Sequence, residues 1–210
     1  MKHLLTGRGA LTRGMLAIAL GLAGACALAA PKVGEPAPAF TAQDSNGRTV
    51  TLAGLAGKTV VMEWTNDGCP YVAKWYRSGG MQALQRDATA RGAVWLTVAS
   101  SAPGEQGHVD GVTANREMRD SGAVPTHFLL DPKGDIGRAY AAQVTPHMYV
   151  IAPDGTLAYM GGIDSIASAD PADIPKAEPF ARLAIEAVLD GRKVAKPVTR
   201  PYGCSVKYAN

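Results

Sequence analysis

The residues with the most chemical reach in this 210-residue chain are three cysteines and four histidines. Cys69 stands in the run Thr65-Asn66-Asp67-Gly68-Cys69-Pro70, after a strand-like segment and before a helical one. A cysteine so placed meets the unpaired N–H groups and the positive dipole end of a helix, and both favour thiolate over thiol. Only the thiolate attacks disulfides or peroxides, so Cys69 is the candidate nucleophile. Pro70 suits the first helical position, where its missing N–H costs nothing. The competing reading is a small buried core residue, against which Asn66, Asp67 and Gly68 argue for a loop. Cys204, in a tail bearing Pro197, Pro201 and Gly203, is the remaining thiol of the body of the chain. A reactive Cys69 would form a mixed disulfide or a sulfenic acid, to be resolved by Cys204 or by an external thiol.

His108, His127 and His147, with Cys69, raise a metal-delivery alternative. No close ligand pair is present, and sparse histidines in loops and at strand starts ordinarily make hydrogen bonds, so neither a metal nor a cofactor is expected.

The elements that must position these groups follow from pattern. Phe40–Thr51 reads as a hairpin turned at Asn46-Gly47. Thr59–Trp64 is a central strand, and the helical stretch from Pro70 to about Arg91 is interrupted at Gly79-Gly80. A strand over Ala93–Ala99, a helix over Asp110–Asp120 and a strand over Thr126–Leu130 follow, then a short helix near Ile136–Ala142. Strands at Met148–Ile151 and Thr156–Met160 precede a loop from Gly161 to Pro175 and a helix over Phe180–Asp190 that stops at Gly191. This order predicts an α/β fold, a mixed sheet with helices on both faces and an N-terminal β-hairpin extension. Right-handed crossovers place Cys69 on the loop-bearing edge of that sheet.

Composition sets the outer limits. With 47% hydrophobic and 19% charged residues, the chain is neither disordered nor disulfide-dense. Its net charge of +3 lies in Lys2, Arg8 and Arg13: removing three of the 21 basic residues leaves 18, equal to the 18 acidic ones. A near-neutral body without basic runs argues against nucleic acid as a partner. Those three charges, the apolar run Met15–Ala23 and the small residues Ala27 and Ala29 read as a secretory signal peptide over residues 1–29. An uncleaved anchoring N-terminus and lipidation at Cys26 are the alternatives, and only these would bring the protein to a membrane. Cleavage leaves two cysteines in an exported, oxidising and expectedly periplasmic setting. The expected division is a domain over 33–191 and a tail over 192–210.

The strand ending in Trp64, the run Thr65–Val72, the segment Val144-Thr145-Pro146-His147-Met148-Tyr149-Val150-Ile151 and the turn Pro153-Asp154-Gly155 resemble the thioredoxin superfamily. More closely they resemble its AhpC/TSA redoxin branch, and within it secreted peroxiredoxin-like proteins, from about Val33 to Gly162. The segment Gly203-Cys204-Ser205-Val206-Lys207 is also similar to this group. The resemblance implies thiol–disulfide or antioxidant redox chemistry at Cys69, acting on a protein or small-molecule disulfide, thiol or oxidant, with an external thiol as reductant. It implies a cis Pro146 facing Cys69, presenting the Thr145 backbone to an extended substrate. It also implies Trp64, Asn66 and Tyr71 as further substrate contacts, and Glu63, Asp67 and His147 as supporting acid–base groups. Asp67 reads equally as a turn or cap residue.

Departures limit the carry-over. Cys69-Pro70-Tyr71-Val72 lacks the second cysteine of a Cys-x-x-Cys pair, and Ala73 occupies the second position of the copper-binding Cys-x-x-x-Cys pattern. Met62 and Asn66 stand where a peroxiredoxin has its proline and threonine, and Val72 occupies the peroxidatic place. The family resemblance leaves a Cys69–Cys204 disulfide as the available pairing, either catalytic or structural. In the structural case the chain would be a non-catalytic binding protein on the same scaffold.

Overall fold

The computed structural model describes residues 30–209; residues 1–29, over which a signal peptide is expected and which include Cys26, and Asn210 lie outside the described residues. A hairpin of β1 (Thr41–Asp44) and β2 (Thr49–Thr51) opens the fold. Then come β3 (Val60–Trp64), α1 (Pro70–Arg77), α2 (Gly80–Ala90), β4 (Val94–Ala99), α3 (Gly111–Ser121), β5 (His127–Leu130) and α4 (Asp135–Ala139). The remainder is β6 (Val144–Thr145), β7 (His147–Ile151), β8 (Leu157–Gly161), α5 (Phe180–Leu189) and β9 (Cys204–Ser205).

Seven strands form one mixed sheet in the order β2-β1-β5-β4-β3-β7-β8. β3, β4 and β5 run parallel, while β7 lies antiparallel on the other side of β3 and β8 antiparallel to β7. The parallel strands are buried on both faces and so read as near-continuous apolar runs. All five residues of β3 are buried. Its alternation splits the core in two. Val60, Met62 and Trp64 face a cluster with Leu96, Val98, Tyr149, Tyr140 and Ile136 of α4. Val61 and Trp95 face the opposite cluster, with Leu84 of α2 and Ala184 and Ile185 of α5. Helices therefore cover both faces, with the shorter cover supplied by α4 and the lead-in residues Ala37 and Phe40.

Local signals agree with the elements. The αL conformation of Gly79 (φ 75°) separates α1 from α2, and the Asp110 carboxylate caps α3 by accepting the Thr113 N–H at 2.7 Å. Three segments outside the expected strands and helices carry order of their own. Pro36 bridges to Thr156, Pro171–Lys176 forms a 3₁₀ helix inside the predicted loop, and the tail pairs twice. Met160 bridges in parallel to Val198, and β9 joins β6 in a separate two-stranded antiparallel ladder.

Candidate active site

Backbone geometry fixes Cys69 from both sides. Thr65 continues the sheet by donating its N–H to Val98 O at 3.0 Å. The chain then turns on Asn66, whose carbonyl accepts the Cys69 N–H at 2.9 Å and whose Oδ1 accepts the Gly68 N–H at 3.0 Å. Gln106 clamps the turn by donating to Gly68 O at 3.1 Å. Cys69 is the N-cap of α1 (φ −88°, ψ 120°) and Pro70 its first residue. Its carbonyl accepts the Ala73 N–H at 2.9 Å. The Thr145-Pro146 peptide is cis, and the protonated Cys69 Sγ donates to Thr145 O at 3.1 Å. No surface of Cys69 is exposed.

The tail lies across this sulfur. Cys204 pairs directly with Thr145 in the β6–β9 ladder, and Val206 donates its N–H to Gln143 O at 3.0 Å. Gly203 (φ 142°) passes so close that a Cβ there would collide with the Thr145 carbonyl. A glycine is required for the chain to approach the cis-proline edge. Burial alone pushes the Cys69 thiol up. Hydrogen bonds from the Cys204 thiol, the Thr145 side chain and the backbone N–H groups of Val72 and Cys204 outweigh it and hold the group below the ordinary thiol value. Cys204 moves the other way, pushed up to about 11 by burial and by its bond to, and repulsion from, the Cys69 sulfur. Both thiols are free in this structure.

Two tyrosines hold the tail on either side of Cys204. Tyr202 donates to Asp164 Oδ1 at 2.6 Å, and its ring meets Tyr71 edge-on at 5.7 Å. Asp164 Oδ2 is paired with Lys74 Nζ at 3.3 Å, and both of those side chains are buried. Lys74 also donates to Ile166 O and to Tyr202 Oη, each at 3.4 Å. Downstream, Tyr208 donates to Ala142 O at 2.7 Å and stacks under the Arg138 guanidinium at 4.8 Å. Sequence reasoning missed the Lys74–Asp164–Tyr202 group. The available signal was a lysine between the apolar Val72 and Trp75 with no acidic residue three or four positions away, which demands a distant partner.

The structure brings Cys69, Cys204, Thr145 and Pro146 together, with Tyr71 beside the tail, and places the other named residues apart from the two sulfurs. Trp64 has no exposed surface; it packs on Tyr140 and Tyr149 and donates Nε1–H to Ser100 Oγ at 3.0 Å, so it borders no groove. Asn66 is buried and shapes the turn instead of facing a ligand. Glu63 is wholly buried, and its carboxylate accepts from Tyr76 at 2.8 Å, Trp95 at 2.9 Å, and Gln85 and Thr97 at 3.3 Å. Burial nevertheless raises its pKa despite these four donors, and no thiol is among its partners. His147 turns Nδ1 to Tyr149 Oη at 3.1 Å, and burial drives its pKa down to about 4, leaving the ring neutral. Asp67 is exposed in the turn, and beyond it a groove of about 290 Å³, lined by Pro70, Arg77 and Pro171 among others, runs along α1.

The three histidines have separate partners: His108 Nδ1 lies 3.2 Å from Ser101 O, and His127 Nδ1 lies 2.9 Å from Asp44 Oδ2. Among the described residues no group of three or more His, Cys, Asp or Glu side chains is placed to hold a metal ion. No described helix is long and apolar enough to cross a membrane.

Solved structures place this architecture among known folds. An uncharacterized conserved protein from Geobacillus kaustophilus, 23% identical, superposes with a TM-score of 0.74 over 85% of this chain and 93% of its own. A hypothetical protein from Sinorhizobium meliloti 1021, 21% identical, gives 0.71 over 86% and 97%. The thioredoxin domain of a thiol-disulfide oxidoreductase from Bacteroides vulgatus, 18% identical, gives 0.50 over 69% and 96%. At these identities the likeness concerns the fold. No curated protein matches the chain in sequence. The AhpC/TSA family model matches residues 33–160, more than half of the chain, including β3, Cys69 and the Thr145-Pro146 segment. The chain therefore has a thioredoxin-like fold and belongs to the AhpC/TSA family.

Proposed function

We propose that Cys69 and Cys204 form a redox-active dithiol–disulfide couple that exchanges disulfides with thiol substrates in an exported setting. The observation that carries this reading is the β6–β9 pairing, which sets Cys204 opposite Thr145, the residue whose carbonyl accepts the Cys69 S–H at 3.1 Å. Cys204 supplies in space the second thiol that is missing from Cys69-Pro70-Tyr71-Val72. Hydrogen-bonding of the Cys69 thiolate favours the reduced form of such a pair and makes its sulfur the better leaving group of the two. The usual peroxidase site is unmatched: Met62 and Trp64 are core residues, Asn66 is committed to its turn, and Val72 is buried in α1. Export rests on the leader residues Lys2, Arg8, Arg13 and Ala27–Ala29, and N-terminal sequencing of the mature protein tests it, with an intact Met1 arguing against cleavage.

Non-reducing peptide mass spectrometry tests the couple. The expected result is a single disulfide joining the Cys69 and Cys204 peptides after mild oxidation and lost on treatment with a dithiol. Two free thiols under all oxidising conditions would overturn it.

A further inference from the structure

If the two cysteines form a couple, the structure also bears on which sulfur an outside partner touches. Cys69 has no exposed surface beneath the tail, whereas Cys204 is partly exposed. The tail is anchored, and the anchor nearest Cys204 is an unusual one. Tyr202, two residues upstream, places its hydroxyl 2.6 Å from one oxygen of Asp164, whose other oxygen holds the buried Lys74. Lys74 lies on α1, the helix that Cys69 caps. One buried ion pair thus ties the strand carrying Cys204 to the helix carrying Cys69. An ion pair with both members desolvated holds its geometry firmly, because loosening either member leaves an uncompensated charge.

We propose that Tyr202, seated on the Lys74–Asp164 pair, is a positioning residue that keeps Cys204 over Cys69 and thereby makes Cys204 the sulfur that external thiols meet. This rests on the dithiol reading above. In the oxidised protein, an external thiolate attacks Cys204 Sγ. The Cys69–Cys204 bond breaks, its electron pair leaves on Cys69 as thiolate, and a mixed disulfide forms on Cys204. A second external thiolate attacks the external sulfur of that mixed disulfide and releases Cys204, which takes a proton from water. In sum, the protein disulfide gains two electrons and two external thiols become one disulfide. Attack at Cys69 would require the tail to lift first.

The test locates the adduct. Oxidised full-length protein is exposed to glutathione, acid-quenched within the first turnover, and mapped by peptide mass spectrometry. The expected result is glutathione on Cys204 in excess over Cys69 by about tenfold or more. Tyr202→Phe, which keeps the ring against Tyr71 but removes the hydroxyl, should move the partition toward Cys69 by about tenfold, and Tyr202→Ala further. A merely structural tyrosine would lower the urea midpoint and leave the partition unchanged; that result overturns the proposal, as does glutathione found chiefly on Cys69 in the unaltered protein. If no Cys69–Cys204 disulfide forms on oxidation, the dithiol couple itself fails. A wild-type disulfide whose partition is unaffected by Tyr202 variants would sink the positioning role alone.

Discussion

The two cysteines are held by different means. Cys69 is fixed by main chain: a buried strand before it, a helix after it, and a turn closed by its own N–H and by Asn66. Cys204 sits on a strand of only two residues with a short main-chain ladder to β6, and side chains anchor it on either side: Tyr202 on Asp164 upstream, Tyr208 on Ala142 and Arg138 downstream. A main-chain mount tolerates many side-chain changes, whereas a side-chain mount has a few points at which it fails. Substitutions near Cys204 should therefore change which states the site visits, while most side-chain changes near Cys69 should leave its position unaltered.

The largest effect expected is that of the disulfide, because it converts the weaker mount into a covalent one. Closing so long a loop should stabilise the oxidised protein by about 4–5 kcal/mol over the reduced one, less any strain, and Cys204→Ser should erase the difference in urea unfolding. Equal stability of the two redox forms would break the comparison. Next comes Asp164→Asn, which leaves the Lys74 charge buried without its partner and should cost about 3–5 kcal/mol by chemical denaturation. A loss below about 1 kcal/mol, the range of exposed ion pairs, would show that this anchor is solvated in solution.

A third test concerns the sheet side. Burial raises the Glu63 pKa from its ordinary 4.5, so between that value and the raised one the native state retains a proton that the unfolded chain has lost. Stability from this group is full below about pH 4.5 and is lost as pH rises through the folded value, by about 1.4 kcal/mol per pH unit per extra proton held. Glu117, pushed up to about 7 by burial and by Asp67, acts with the same sign between 4.5 and 7. Glu63→Gln should flatten the decline in unfolding free energy measured from pH 4.5 upward, and an unchanged slope would reassign it. The smallest effect is expected of Tyr208→Phe, which removes one neutral hydrogen bond from the downstream anchor. It should cost about 1 kcal/mol in thermal or urea unfolding, and a cost equal to that of Asp164→Asn would show that the two anchors do not differ in kind.

Legibility in the sequence follows the same division. β3 through α2 is readable because apolar alternation, a turn-forming run, Pro70 and Gly79 all act within a few residues of one another. The position of Cys69 and the cis peptide before Pro146 come with that local pattern and with the family resemblance. The tail is not readable by periodicity, because two paired residues make no pattern. Its order comes from Gly203 meeting Thr145 and from Tyr202 meeting a lysine and an aspartate on other elements. Trp64 misled for a related reason: it ends a strand beside the reactive loop, but alternation turns it into the core with Val60 and Met62. Glu63 shows the reverse, an acid on a central strand whose buried state is evident from sequence, while its four donors come from α1, α2 and β4.

The separate β6–β9 ladder has one more consequence. Because it shares no strand with the seven-stranded sheet, it is free to open as a local unit with its own free energy, smaller than that of global unfolding. The amides of Val206, bonded to Gln143 O, and of Cys204, paired with Thr145, would then exchange hydrogen with solvent while amides within β3 and β7 remain protected. The protection of these amides measures how often Cys69 is uncovered, a population that the native structure sets without unfolding anything else.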